Sequence, residues 1–180
     1  PVPAGYQAGD LLVIAMASAG VGPPSAPSGW SQQIIASTGG ARMVVFTKVA
    51  GVSESSVALS GGTSSSNAVM LCYRGTNATT PVDAASTVVA STSGTSVATN
   101  TLTTATANEL VLSVYATGTT AATLTAPSGT TQRVLVNPGA AGCGLLVVDE
   151  IQAAAGTSTA RTATASTSIT WSCGSVAFKT

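Results

Sequence analysis

The chain has 180 residues, 7% of them charged, with six basic and six acidic side chains, no histidine and zero net charge. Ordinary globular proteins carry roughly 25% charged residues; here no basic face is left for nucleic acid and no polybasic segment for anionic lipid. The missing histidine excludes Ser-His-Asp and Cys-His mechanisms and most zinc sites.

The apolar fraction is an ordinary 44% and the mean hydropathy +0.43, so Ser, Thr, Gly and Ala have replaced the charges. A chain of this length can bury a full core as one domain. An exterior so poor in Lys and Glu resists edge-to-edge association badly. It suits a surface covered in an assembly, or a Thr/Ser-rich β module outside the cell. No apolar run is long enough to cross a bilayer as a helix, and no signal-peptide pattern is present. A start at Pro1 fits a mature product, a fragment, or a native start that lost its Met.

In chain order, Pro1 to Gly9 reads as an irregular lead-in. Leu11 to Ser18 is the first strand: a β-branched apolar run that opens behind Gly9-Asp10 and is too short for a helix. A Gly/Pro-rich loop, Ala19 to Gly29, follows. Trp30 to Ser37 is the second strand, Gly39-Gly40 a turn, and Arg42 to Val49 the third strand. Alternation puts Met43, Val45, Thr47 and Val49 on one face and Val44, Phe46 and Lys48 on the other. Ser55 to Leu59 is a short fourth strand and Gly61 to Ser66 a flexible loop. Asn67 to Arg74 is a fifth strand, apolar on both faces from Ala68 to Tyr73, which predicts a central position. Gly75 to Pro81 turns the chain. Val82 to Ala90 and Ser96 to Thr104 are Thr-rich strands joined by Ser91-Thr92-Ser93-Gly94.

Then the pattern restarts. Asn108-Glu109 and the run to Thr117 echo Gly9 to Ser18, with Glu109 standing 99 positions after Asp10. Ala126-Pro127-Ser128-Gly129 repeats Ala26-Pro27-Ser28-Gly29 at 100 positions. Thr131 to Val136 answers the Trp30 strand, Gly144 to Ile151 the third strand, and Arg161 to Ala165 the fourth. Trp171 to Lys179 answers the fifth, with Phe178 standing 105 positions after Tyr73 and Lys179 answering Arg74. A slowly growing offset with a fixed order of elements is the mark of duplication with loop insertions. The expected fold is all-β: one domain, 1–180, a two-sheet antiparallel jelly-roll-like sandwich with pseudo-repeated halves of about 1–81 and 96–180. Its inner faces bury each other, each Leu, Val or Ile contributing about 1.5–3 kcal/mol. The first half has no counterpart of the Ser96 strand. The position beside Leu11–Ser18 is therefore expected to be left short and filled by another chain, an upstream segment or the 82–90 strand.

Chemistry is sparse. Lys48 and Lys179 are the lysines available for a Ser-Lys pair, and both are expected at strand ends pointing to solvent. Asp149-Glu150 is the one adjacent acidic pair, and strand neighbours face opposite sides, so the two cannot share a glycosidase-type site. No loop clusters acids for calcium. No catalytic, cofactor or metal residue is assigned. Trp30 and Trp171 are read as core or loop-anchoring tryptophans, Trp30 alternatively as a sugar-stacking platform. Arg74 is expected to cap a turn or pair with Asp83. Asn77-Ala78-Thr79 fits a glycosylation sequon, a match expected by chance in so Thr-rich a chain. Cys72, Cys143 and Cys173 form no CxxC pair and read as small buried hydrophobes, with one disulfide left open.

Ala8-Gly9-Asp10-Leu11-Leu12, Ala26-Pro27-Ser28-Gly29-Trp30, Phe46-Thr47-Lys48-Val49-Ala50, Tyr73-Arg74-Gly75, Pro81-Val82-Asp83 and Ser175-Val176-Ala177-Phe178 together resemble a β-sandwich module of phage virion proteins and bacterial secreted or surface proteins. The resemblance spans nearly the whole chain and rests on motif order. It implies a structural or adhesive role without catalytic residues. It also implies a strand before the Gly-Asp turn, which this chain is expected to lack or nearly lack. The expected function is a non-enzymatic virion component, a capsid decoration or a head or tail fibre module. It would contact other subunits, with a homotrimer as the expected oligomer, and bind no nucleic acid or membrane. The alternatives are an extracellular adhesin that binds cell-surface glycan and a filament subunit built by donor-strand addition.

Overall fold

The computed structural model describes residues 1–19, 24–36, 41–59, 65–91, 93–118, 121–137 and 142–180. Every regular element among them is a strand. The expected Gly39-Gly40 turn and most of the Gly61 loop lie outside the described residues.

Each half of the chain supplies its own sheet. In the first, β1 (Leu11–Ala19) lies between β3 (Arg42–Val49) and β4 (Ser65–Tyr73), and β2 (Ser31–Ala36) pairs with β3, giving the order β2-β3-β1-β4. In the second, β9 (Glu109–Thr117) lies between β12 (Gly144–Gln152) and β15 (Trp171–Phe178), and β11 (Thr131–Val136) pairs with β12. Here β15 carries two further strands on its far side, β5 (Val82–Ala85) and β6 (Val89–Ser91). All of these pairings are antiparallel.

The ladders repeat residue for residue. Leu11 faces Tyr73 as Leu110 faces Phe178, and Leu11 faces Val49 as Leu110 faces Ile151. Both outer hairpins carry a bulge at the same place, between Gln32 and Ile34 and between Gln132 and Val134. A bulge is a specific local feature, so its recurrence ties the halves more tightly than composition can. The turns repeat too. The residue that opens each central strand's turn has positive φ, Gly9 at 92° and Asn108 at 63°; glycine has no Cβ to clash there, and asparagine tolerates the left-handed region better than most residues. The acid that follows accepts the amide three residues back, Gln7 to Asp10 at 2.7 Å and Thr106 to Glu109 at 3.0 Å.

The two sheets face each other through equivalent surfaces. Leu11, Val13, Ala15, Met43 and Val45 pack with Leu110, Leu112, Val114, Leu145, Val147 and Phe178 in one central core. The alternation expected for β3 holds, since Val44 and Phe46 lie in a second cluster on the outer face with Leu12, Ile14 and Trp30. This outer face is covered by the lead-in residues Val2 and Tyr6 and by Val57 and Leu59. Residues 55–59 therefore cover a sheet without forming the expected fourth strand. Their counterpart, β14 (Thr162–Ala165), is a strand because it pairs with β7 (Ser96–Ala98) and β10 (Leu124–Thr125). That small sheet covers Tyr115, Leu146, Val148 and Cys173. No described strand is offered to residues 55–59, and Pro24 occupies the position matching Leu124. A last pair, β8 (Thr103–Thr104) with β13 (Gly156–Thr157), completes the fold. The expected strands 82–90 and 96–104 are each broken in two.

Two other expectations change. The strand beginning at Leu11 is paired on both sides within the chain, and 82–91 pairs with β15, so nothing is missing beside β1. β4 is not central but stands at the sheet's edge. Its apolar residues on both faces reflect two cores: Val69, Leu71 and Tyr73 pack into the central one, Met70 and Cys72 into the outer one. Burial of both faces does not require a neighbour on both edges.

Candidate interaction site at the edge of β4

β4 forms because Ala68 to Tyr73 offers an apolar side chain to each face and β1 offers a matching ladder. Its ends are fastened to the opposite sheet. At the start, the Ser65 hydroxyl accepts the Cys143 amide at 2.9 Å, and the Asn67 amide donates to the Cys143 carbonyl at 2.6 Å. At the end, the Tyr73 hydroxyl donates to Asp149 Oδ2 at 2.9 Å, and the same oxygen accepts Arg133 Nε at 2.7 Å. Asp149 is 2% exposed, so Tyr73 and Arg133 together satisfy a buried carboxylate. Burial, and then the Asp149 charge, push the Tyr73 hydroxyl above its ordinary pKa.

Beyond Tyr73, Arg74 reaches back to Asp10 with two bonds, Nε to Oδ1 at 3.1 Å and Nη2 to Oδ2 at 2.9 Å, and donates to the Gly5 carbonyl at 2.8 Å. Arg74, together with the Gln7 amide, holds the Asp10 carboxyl down at about 2. The expected Arg74–Asp83 pair does not form: Asp83 pairs with Lys179 at 3.4 Å.

Along its other side β4 has no strand partner among the described residues. Three hollows are lined in part by its residues. On the outer face one lies among Pro1, Val57, Leu59, Ala68 and Met70, and another among Pro3, Tyr6, Met70, Cys72 and Arg74. A third lies among Leu71, Tyr73, Arg74 and Arg133. Strand groups with no partner among the described residues, adjoining hollows and two partly exposed guanidiniums make a surface suited to backbone pairing. In the hollow that Cys72 and Arg74 line, the Cys72 thiol donates to Asp10 Oδ2 at 3.5 Å. Burial, and then that bond, push the thiol above its ordinary pKa, which favours the neutral thiol over the thiolate.

The remaining candidates are dispersed. Lys48 pairs with Glu54 at 2.7 Å, so both lysines are ion-paired and not free in solvent. Asp149 and Glu150 part as expected, to Arg133 and Arg161 respectively. Trp30 and Trp171 are 8% and 7% exposed and lie in the two outer cores, so Trp30 presents no stacking face. The three cysteines are separate thiols. Burial pushes the Cys173 thiol up to about 12. Asn77 is exposed, and its Oδ1 accepts the Thr79 and Thr80 amides. No helix of the described residues is long and apolar enough to cross a membrane.

Comparison with protein-family models, with curated proteins and with solved structures gives no match to this chain. The β4 edge was the site missed in the sequence. Its signal was the pairing of both-faced apolarity with two flanking basic residues, Arg74 and Arg133, one of them 60 positions away in the chain.

Proposed function

We propose that this chain is a non-enzymatic structural module of a larger assembly, acting through protein–protein interfaces. A phage particle, as a capsid decoration or fibre module, is the setting its motif order suggests. The observation that carries this reading is the edge strand β4, apolar on both faces from Ala68 to Tyr73 and without a strand partner along one side among the described residues. Monomeric proteins usually blunt such an edge with charge, proline or a bulge, and β4 has none of these.

The exterior adds support. Among the described residues, at least five of the six acids and five of the six bases are joined in ion pairs with one another. Little unsatisfied charge is left to repel a neighbour, and interface centres are likewise depleted of charge. Light scattering on the purified chain, with cross-linking of purified particles read by mass spectrometry, tests the reading. The chain is expected to form a homo-oligomer, with a trimer as the first stoichiometry to test, or to cross-link to other particle subunits. A monomer at all concentrations that cross-links to no particle subunit would refute the reading.

A further inference from the structure

We infer that the free edge of β4 accepts, in antiparallel pairing, an extended segment of a second polypeptide that carries the chemistry of residues 82–91: small or branched apolar side chains on alternating faces and one carboxylate beside Arg74. This rests on the interface reading above and names the partner of that site.

The argument is internal to the molecule. β15 holds the place in the second sheet that β4 holds in the first, at the same register on the central strand. The far side of β15 is covered by 82–91. Val82 lies opposite Phe178, Ala85 opposite Val176, and Val89 opposite Cys173. Between the two short strands, the Ser86 amide donates to the Ser175 carbonyl at 2.8 Å and the Ser86 hydroxyl accepts the Ser175 amide at 2.9 Å. Val82 and Val88 pack into the central core, Val89 and Ala84 against the outer clusters. Under this cover all of β15 is buried, whereas no residue of β4 is.

Transferred by the observed register, a Val82-like residue would stand opposite Tyr73, an Ala85-like one opposite Leu71, and a Val89-like one opposite Ala68. Hollows lined by Leu71 and Tyr73 and by Ala68 and Met70 adjoin these positions. Charge marks the end of the segment, although Arg74 and Arg133 are already paired with Asp10 and Asp149. Lys179 takes Asp83 from its covering strand, and Arg74 stands at the Lys179 position with its side chain 57% exposed. Arg133, 45% exposed, lines the same end. A second β4 offers no such acid, because Ser65–Tyr73 contains none. The chain's own 82–91 is already engaged on β15.

The probe is a capped synthetic peptide copying residues 80–91, titrated into the full chain. Hydrogen exchange is followed by NMR or mass spectrometry. Saturable binding is expected, with the amides among residues 67–73 that point away from β1 slowed at least about tenfold and no effect from a scrambled peptide. An Asp83→Asn peptide should bind about two- to fivefold more weakly, as for a partly exposed ion pair. Ala68→Lys in the chain, at an exposed site, should abolish binding while leaving the unfolding midpoint in place. Equal protection by the scrambled peptide, protection confined to β15, or a β4-to-β4 dimer would each overturn the inference. Particle cross-links that map to another face would leave the proposed function standing and remove this inference alone.

Discussion

β15 is buried along all eight of its residues, while β4, in the same place in the other sheet, has none buried. The two strands are aligned alike on their central partners and carry related side chains. What separates them is residues 82–91, which lie over one and not the other. Burial at the edge of a sheet is thus decided by a segment elsewhere in the chain, not by the strand itself. The same contrast governs the outer layers: β14 is a strand because β7 and β10 meet it, and 55–59 is not.

The largest test of this contrast is Phe178→Ala. Phe178 is fully buried, and its loss should cost about 3–5 kcal/mol by denaturant midpoint. Tyr73→Phe keeps the ring at the equivalent site but leaves Asp149 with Arg133 alone, for about 1.5–3 kcal/mol. If the Tyr73 change cost as much as the Phe178 one, β4 would be as deeply engaged as β15.

Gly174 sits where β4 has Val69. A Cβ there would come within 3.1 Å of Ile34 Cδ1 and 3.5 Å of Met43 Cε. Gly174→Val should therefore destabilise by about 1–3 kcal/mol through overpacking. Gly174→Ala should cost much less, since the nearest atom is the flexible end of a side chain.

Acid titration compares the two basic strand ends. The folded pKa of Asp10, about 2, lies below the ordinary value, so its contribution to stability is complete above about pH 4 and is lost as pH falls through 2. Arg74→Gln removes the main cause and should move acid unfolding to higher pH. Asp83 is also lowered, but first by the Ala105 amide and only then by Lys179, so Lys179→Gln should move it less. Equal shifts would mean that the two ends are alike in strength. The smallest effect is expected from Ala68→Lys, within about 0.5 kcal/mol, with its consequence confined to association.

The central strands and the strands of the outer hairpins were legible in the sequence, because long apolar runs and β-branched alternation are local signals. So was the parting of Asp149 from Glu150. β4 misled, since apolarity on both faces reports two cores and not two neighbours. The pairs β10 with β14 and β8 with β13 include strands of two residues, too short for any period to show. For Arg74 the sequence suggests a turn cap or the nearer acid, Asp83, whereas its bidentate partner lies across the strand pairing at Asp10. Which side chains meet across the fold depends on ladders that link residues some sixty positions apart.

The bond from Tyr73 to Asp149 has one more effect. With Ser65 and Asn67 fixed at the other end, β4 is tethered to the opposite sheet at both extremities. An incoming strand would meet a template already straight and stationary, so that most of the entropy lost on docking would come from the guest. Loosening either tether should therefore slow capture before it weakens the captured state.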